Sequence, residues 1–223
     1  MARFALTSAC VVTLAGTAVN AAMFSTYNPG DLGATLIDEA ALGGADLNLN
    51  AGNEIFAGFE VTNLFNAGDE VSITGIALPL WSNNMNANNN TENGTFTFTF
   101  YGLGGGPNAD KYDGEANETL LGSATVEFDS EGDGVFIFGA EFDSSIDFTA
   151  DSSGFVFRIE STESIRLKRG PNSTGQQIRI DNGNYAGGGG QFGSFTVAGS
   201  VVPAPMTAGV LSLAMAGMAR RRR

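Results

Sequence analysis

Hydrophobic and polar side chains alternate with a period of two residues through much of the chain, which is the pattern of half-buried β-strands. The clearest run covers residues 95–101, where three phenylalanines alternate with three threonines. We expect these phenylalanines to line a core and the threonines to lie on the opposite face. Further strands are predicted at residues 54–61, 71–80, 177–180 and 194–202.

Two pairs of predicted strands are separated by short polar turns. The acidic segment 129–134 follows a strand at residues 124–128 and precedes one at residues 135–138. In the same way, four polar residues separate a strand at 154–160 from one at 165–169. Strands this close in sequence commonly pair across their turn, so we predict two β-hairpins.

The middle of the chain has no long segment with a helical period. A short helix-like stretch at residues 38–42 adjoins two glycines, and residues 187–190 are predicted to be a flexible glycine spacer. Strands separated by turn signals predict an all-β fold, with a single antiparallel β-sandwich of the jelly-roll type over residues 22–201.

The first 21 residues have the pattern of a secretory signal peptide. Arg3 precedes an uncharged, apolar stretch over residues 4–19, and Val19 and Ala21 are the small residues of a cleavage site before Ala22. The stretch is too short to span a bilayer comfortably, so we predict cleavage and export. A buried core helix and a lipid anchor on Cys10 are the alternatives.

The last 22 residues, 202–223, have three ordered parts. Val202, Pro203, Ala204 and Pro205 form an extended spacer, because proline restricts the backbone. Residues 206–219 are uncharged and would form an apolar helix of about 21 Å, against a hydrocarbon core of about 30 Å. The chain then ends in four cations that would keep that end in the cytoplasm: Arg220, Arg221, Arg222 and Arg223.

These three parts resemble the PEP-CTERM sorting tail of bacteria that make extracellular polysaccharide. The resemblance implies that an exosortase-like enzyme in the inner membrane recognises the Pro-x-Pro element and removes the helix and the arginines. It also implies that the helix anchors the chain transiently, before the protein reaches the cell surface or is released. The usual Glu between the prolines is Ala204 here, which leaves open which enzyme reads the tail. An ordinary membrane anchor that is never cut is the alternative.

Charge and composition narrow the chemistry of the exported part. All 24 acidic side chains but only six of the 11 basic ones lie in residues 22–201, and the chain has no His and a single Cys in the predicted signal peptide. Cysteine nucleophiles, Ser-His-Asp triads, His or Cys zinc sites and disulfides are therefore excluded. A surface this acidic also repels nucleic acid.

Two acidic loops are candidate calcium sites. Asp129, Glu131 and Asp133 have the spacing of the first half of a calcium loop and are followed by a glycine, but the position of the twelfth ligand is Ala140. The two alternatives for these residues are a weak calcium site and a solvated acidic turn. A second acidic loop carries Asp110, Asp113 and Glu115. We expect no other cofactor.

Aromatic side chains next to polar loops suggest carbohydrate binding. Trp81 is the sole tryptophan and precedes an asparagine-rich loop, while Tyr101 and Tyr112 border a glycine-rich one. A tryptophan beside amide side chains can stack on a sugar and hydrogen-bond its hydroxyl groups. Packing in the core is the alternative for Trp81. A polysaccharide hydrolase that uses two carboxylates is a further alternative, because such an enzyme needs neither His nor Cys.

The order of the predicted strands is similar to that of the choice-of-anchor domains found with such tails. The segments that carry this likeness are residues 57–61, 71–76, 98–101 and 106–108.

The only basic cluster of the middle region places Arg166 and Lys168 on one strand face, where we expect an acidic partner within the domain. Taken together, the sequence predicts an exported cell-surface or matrix protein with a structural or adhesive role and no enzymatic activity.

Overall fold

The computed structural model describes residues 22–40, 46–49, 58–81, 93–103, 112, 114, 117–129, 135–151, 154–163, 165–168, 175–181, 184–192 and 195–204. Within these residues there are thirteen β-strands and no helix, which confirms the all-β prediction. The strands are β1 Ala22–Thr26, β2 Thr35–Asp38, β3 Asp46–Leu49, β4 Gly58–Val61, β5 Glu70–Trp81, β6 Asn93–Gly102, β7 Thr119–Asp129, β8 Val135–Thr149, β9 Phe155–Ser161, β10 Ile165–Lys168, β11 Gly175–Asp181, β12 Asn184–Phe192 and β13 Thr196–Val202.

The strands form two sheets. The first, sheet A, has the order β12-β11-β4-β9-β6-β7, and all of these neighbours are antiparallel. The second, sheet B, is centred on β5, which pairs with β8 along one edge and with β13 and β10 along the other. Strands β2 and β3 add to β13 and β10.

Strand β1 belongs to both sheets. Its first three residues, Ala22–Phe24, pair with β7 in parallel, and Ser25 and Thr26 then pair with β8 in the antiparallel sense. The chain therefore passes from sheet A to sheet B within five residues, and β1 lies between β7 and β8 in the strand order.

The inner faces of the two sheets share one hydrophobic core. Phe96, Phe98 and Phe100 of β6 are fully buried, as their alternation with threonine predicts. Across the core, the ring centroids of Phe98 and Phe142 of β8 lie 6.2 Å apart. Phe157 of β9 meets the ring of Phe195, just before β13, edge-on at 5.0 Å. Burying each phenylalanine stabilises the fold by about 1.5–3 kcal/mol relative to leaving it exposed.

Strand β8 has a wide bulge opposite β5. Ile73 pairs with Ile146 and Gly75 pairs with Glu141, so four residues of β8 face the single residue Thr74. The two strands approach closely beside this bulge, because a Cβ at Gly75 would lie 2.6 Å from the carbonyl oxygen of Ala140. A side chain at position 75 would therefore push the strands apart.

Both predicted hairpins are wrong. The segment 130–134 connects β7 of sheet A to β8 of sheet B, and β1 separates the two strands. In the same way, residues 162–164 connect β9 of sheet A to β10 of sheet B. The strands themselves are present, but each polar connection crosses between sheets. The reason is that a short turn sequence specifies a change of direction and does not specify the partner, which the buried faces of each strand select.

The predicted flexible spacer at residues 187–190 is also wrong, because these glycines lie within β12. Gly187 and Gly188 pair with Arg179 and Ile178 of β11, with irregularities in the register. Backbone hydrogen bonds to β11 thus hold a segment of glycines, which have no side chains to pack. The helix-like stretch at 38–42 begins as the end of β2, with Asp38 opposite Thr196 of β13.

Candidate functional site

The last strand, β13, carries the chain directly into the predicted sorting residues. Thr196–Ala198 lie between β2 and β5, and the strand continues along β5 until Val202 pairs with Glu70. Pro203 has no N–H group for the ladder, and the strand ends before it. Val202 and Pro203 are exposed, whereas Ala204 is half-buried. The folded domain therefore extends to the centre of the Val-Pro-Ala-Pro motif, and Pro205 lies outside the described residues.

A turn before β5 meets Ala204. Asn66-Ala67-Gly68-Asp69 forms a β-turn in which the Asp69 N–H donates to the Asn66 carbonyl oxygen at 3.1 Å. Gly68 has a φ of +93°, as a type II turn requires at its third position. The Asp69 side chain closes the turn, because its Oδ2 accepts the backbone N–H of Asn66 at 2.8 Å and the side-chain amide at 3.3 Å.

The second carboxylate oxygen of Asp69 holds the tail. Its Oδ1 accepts the backbone N–H of Ala204 at 2.9 Å, across 135 positions of sequence. Asp69 is only 4% exposed, so this contact is sheltered from water. The N–H groups of Asn66 and Ala204 hold the pKa of Asp69 below its ordinary value, because both bonds favour the ionised carboxylate. Asp69 is thus a charged anchor at the junction between the domain and the tail.

The main chain of this turn is fixed independently of the side chain. The Gly68 N–H donates to the Ala150 carbonyl oxygen at 2.8 Å, and the Ala150 N–H donates to the Asp69 carbonyl oxygen at 2.8 Å. Ala150 directly follows β8, so the turn is tied to the end of sheet B. The Asn-x-Gly-Asp pattern signals a turn in the sequence, but nothing in it indicates a contact with residue 204.

The same four-residue pattern occurs at Asn28-Pro29-Gly30-Asp31 between β1 and β2. The Asp31 N–H donates to the Asn28 carbonyl oxygen at 3.0 Å, and Asp31 Oδ2 accepts the Asn28 N–H at 2.7 Å. Gly30 has a φ of +98°. The two turns match in every one of these contacts, but Asp31 is exposed to solvent.

A groove of about 420 Å³ lies between this second turn and the bulge of β8. Three exposed carboxylates border it: Asp31, Glu141 and Asp143. The ring of Tyr27, the residue after β1, lines the groove and packs against Gly139, where a Cβ would lie 3.1 Å from the ring. Its volume is that of a small-ligand cleft, and its oxygens could accept hydrogen bonds from hydroxyl groups. In the part of the chain that the structure describes, no three acidic, Cys or His residues are grouped closely enough to hold a metal ion.

The backbone brings the two remaining candidate motifs to one end of the molecule. Trp81 at the end of β5 pairs with Val135 at the start of β8. Asn93 at the start of β6 pairs with Asp129 at the end of β7. The asparagine-rich loop connects Trp81 to Asn93, and the acidic loop connects Asp129 to Val135. The candidate sugar-binding and calcium-binding loops therefore leave the same end of the two sheets.

Several candidate residues lie outside what the structure describes. These are Glu131, Asp133, Pro205, Asp110, Asp113, Glu115 and the terminal arginines Arg220, Arg221, Arg222 and Arg223. The predicted signal peptide and the apolar segment 206–219 also lie there. Among the described residues, no helix is long and apolar enough to cross a membrane.

Tyr101 and Tyr112 are not exposed platforms for a sugar. Both are buried in a small cluster with Leu103 and Val156, and the two rings lie 6.1 Å apart. Tyr101 and Val156 alternate with the inward-facing phenylalanines of β6 and β9, so this cluster covers the opposite face of sheet A. The two tyrosines thus serve packing.

Comparison with known proteins gives no relative: no family model, no curated protein and no solved structure matches this chain.

Proposed function

We propose that this chain is an exported bacterial surface or matrix protein, sorted by its C-terminal tail, with a structural or adhesive role and no catalytic one. The observation that carries the proposal is the continuity of the last strand with the tail. Strand β13 ends at Val202, and the Pro-Ala-Pro element, the apolar segment and four arginines follow without a linker. A tail attached in this way can hold the folded domain at the outer face of the membrane and be removed without disturbing its sheets.

Each part of the chain has a role in this proposal. Residues 1–21 direct export, and the apolar segment 206–219 with Arg220–Arg223 halts the chain in the inner membrane. An exosortase-like enzyme then recognises Pro203-Ala204-Pro205 and separates the domain from the membrane. For residues 22–201 we infer a single, jelly-roll-like β-sandwich. The shared core and the two connections that cross between the sheets support this architecture.

Intact-mass analysis of the exported protein tests the sorting proposal. We expect the cell-surface or secreted form to lack residues 1–21 and 206–223. A Pro203→Ala/Pro205→Ala variant should retain the tail and stay in the membrane fraction. Pro29→Ala, which alters an exposed turn proline, is the control and should be processed like the wild type. Retention of residues 206–223 in the exported wild type would refute the proposal.

A second candidate function is carbohydrate binding at the end of the molecule that carries Trp81. The pairing of the strand ends favours it, because Trp81 and the strand ends that border the two polar segments lie at the same end of the sheets. We expect wild-type protein to be retained on extracellular polysaccharide and Trp81→Ala to elute early. Leu120→Ala is a matched control, since Leu120 is 62% exposed near the opposite end of the β6–β7 pair. Equal retention of wild type and Trp81→Ala would contradict carbohydrate binding through Trp81.

The acidic loop at the same end is a candidate for weak calcium binding through Asp129, Glu131 and Asp133. If calcium binds the folded state, millimolar calcium raises the melting temperature of the wild type and not that of Asp129→Asn. The absence of any shift in the wild type would leave the solvated turn as the explanation of these carboxylates.

A further inference from the structure

We propose that Asp69 latches the start of the tail onto the folded domain, so that the Pro203–Ala204 bond is closed to proteases and the cut that releases the tail lies after Ala204. This inference adds a cleavage position to the proposed sorting function, and it rests on that function only for the identity of the processing enzyme. The latch itself is a contact within the chain and can be tested without that enzyme.

The latch engages the one backbone donor of the motif. Proline has no N–H group, so Ala204 supplies the sole N–H of Pro203-Ala204-Pro205. That N–H belongs to the Pro203–Ala204 peptide bond, and it is the group that Asp69 Oδ1 accepts at 2.9 Å. Enzymes that bind extended peptides use the main-chain hydrogen-bonding groups of the substrate. A protease can therefore cleave the Pro203–Ala204 bond only after the hydrogen bond between Asp69 and the Ala204 N–H has broken.

The bonds before Pro203 are protected by the sheet. Residues 199–202 pair with β5, and the Gly199 N–H donates to the Ala34 carbonyl oxygen at 2.9 Å. The backbones are so close there that a Cβ at Gly199 would lie 2.1 Å from the Ser72 carbonyl oxygen. Cleavage before Pro203 would require β13 to leave the sheet, which is a larger opening than release of the latch.

An ionised carboxylate suits this position because it accepts hydrogen bonds in two directions at once. Oδ2 faces Asn66 and Oδ1 faces Ala204, and both neighbours present N–H donors to the side chain. An asparagine would present its NH₂ group to one of these donors, so it could close the turn or hold the tail but not both. A carboxylate at position 69 can therefore close the turn and hold the tail at the same time.

Limited proteolysis of the full chain in mild detergent tests the latch. A proline-specific endoprotease is used as the probe, and mass spectrometry follows the fragment that ends at Pro203. We expect Asp69→Ala to yield this fragment about tenfold faster than the wild type, the effect of losing one charge-assisted hydrogen bond. Asp31→Ala is the matched control, because it removes the same turn closure with no contact to the tail. Equal rates in wild type and Asp69→Ala, or an equal increase in both variants, would overturn the proposal.

A second measurement does not depend on a variant that might fold poorly. In the wild type, the latch predicts that the Ala204 amide exchanges with solvent at least about tenfold more slowly than in an unstructured peptide. Exchange at the unstructured rate would overturn the latch.

The outcome for sorting is read separately, from the C-terminus of the exported protein. A mature chain that ends before Ala204 would contradict the latch and leave sorting intact. An exported chain that keeps its whole tail would contradict sorting, and the proteolysis result would still decide the latch.

Discussion

The two Asn-x-Gly-Asp turns have the same local structure and different surroundings. In both, the aspartate Oδ2 accepts the backbone N–H of the asparagine, at 2.7 Å and 2.8 Å, and the glycine has a positive φ. The turn at Asp31 borders an open groove, whereas the second turn has a buried aspartate, Asp69, whose Oδ1 contacts the tail. Four residues therefore determine the turn, while the position of the turn in the fold determines which group the second carboxylate oxygen contacts.

The largest difference is expected when each aspartate is truncated. Asp69→Ala leaves the part-buried N–H groups of Asn66 and Ala204 without their acceptor, whereas the Asn28 N–H that Asp31→Ala frees is exposed to water. We expect the melting temperature to fall by about 5 °C for Asp69→Ala and by about 1–2 °C for Asp31→Ala. Thermal unfolding followed by circular dichroism measures both. Equal decreases would mean that the tail contact contributes nothing to stability.

The glycines of the two turns should behave alike. A methyl group at Gly30 would meet no atom within 4 Å, and one at Gly68 would only touch the Ala204 Cβ at an ordinary 3.6 Å. Alanine at either position is disfavoured by the positive φ, and we expect each substitution to cost about 1 kcal/mol in the free energy of unfolding. Urea denaturation of Gly30→Ala and Gly68→Ala tests this. A clearly greater loss at Gly68 would show that the tail packs on the turn as well as bonding to it.

A double-substitution cycle isolates the contact between Asp69 and Ala204. Ala204→Pro removes the donor and should lower the melting temperature by about 2 °C on its own. Added to Asp69→Ala, it should cause less than about 1 °C of further loss, because the bond is already absent. Added to Asp31→Ala, it should cause its full effect. Additive losses in both backgrounds would contradict direct coupling.

The smallest expected effect is the response of the latch to acid. The folded-state pKa of Asp69 lies below its ordinary value, so its contribution to stability is complete above the pKa of an unfolded aspartate, about 3.9, and is lost as the pH falls through the lower folded-state pKa. The gap in melting temperature between wild type and Asp69→Ala should therefore stay constant from pH 8 to about pH 5 and narrow below about pH 4. A gap that is unchanged at the lowest pH at which both proteins fold would contradict an electrostatic latch.

Strand identity was readable from the sequence where side chains alternate. The phenylalanines of β6 are buried and its neighbouring threonines are less so, because alternation depends only on the geometry of one strand. The partner of each strand was not readable. Residues 124–128 and 135–138 were correctly identified as strands, but they belong to different sheets, and the strand between them, β1, comes from the start of the chain.

The latch was likewise only half visible. Asn66-Ala67-Gly68-Asp69 is a turn signal that the sequence shows openly. Its second role depends on β13 pairing with β5 in a register that brings Val202 opposite Glu70 and so delivers Ala204 to Asp69. No local pattern encodes a register between strands that are more than a hundred residues apart. The groove beside the bulge of β8 was missed for the same reason.

The membership of β1 in both sheets has a consequence for the order of folding. Ala22, the residue predicted to begin the mature chain, pairs with Val126, and Thr26 pairs with Phe138. The two sheets are therefore joined at β1 by contacts between residues about a hundred positions apart. Such contacts form late in folding, because loop closure is entropically costly. If the chain is exported as proposed, its opening segment must wait for the middle of the chain to emerge. Delayed closure of this kind keeps a polypeptide extended enough to be threaded through a membrane and lets it become compact only on the far side.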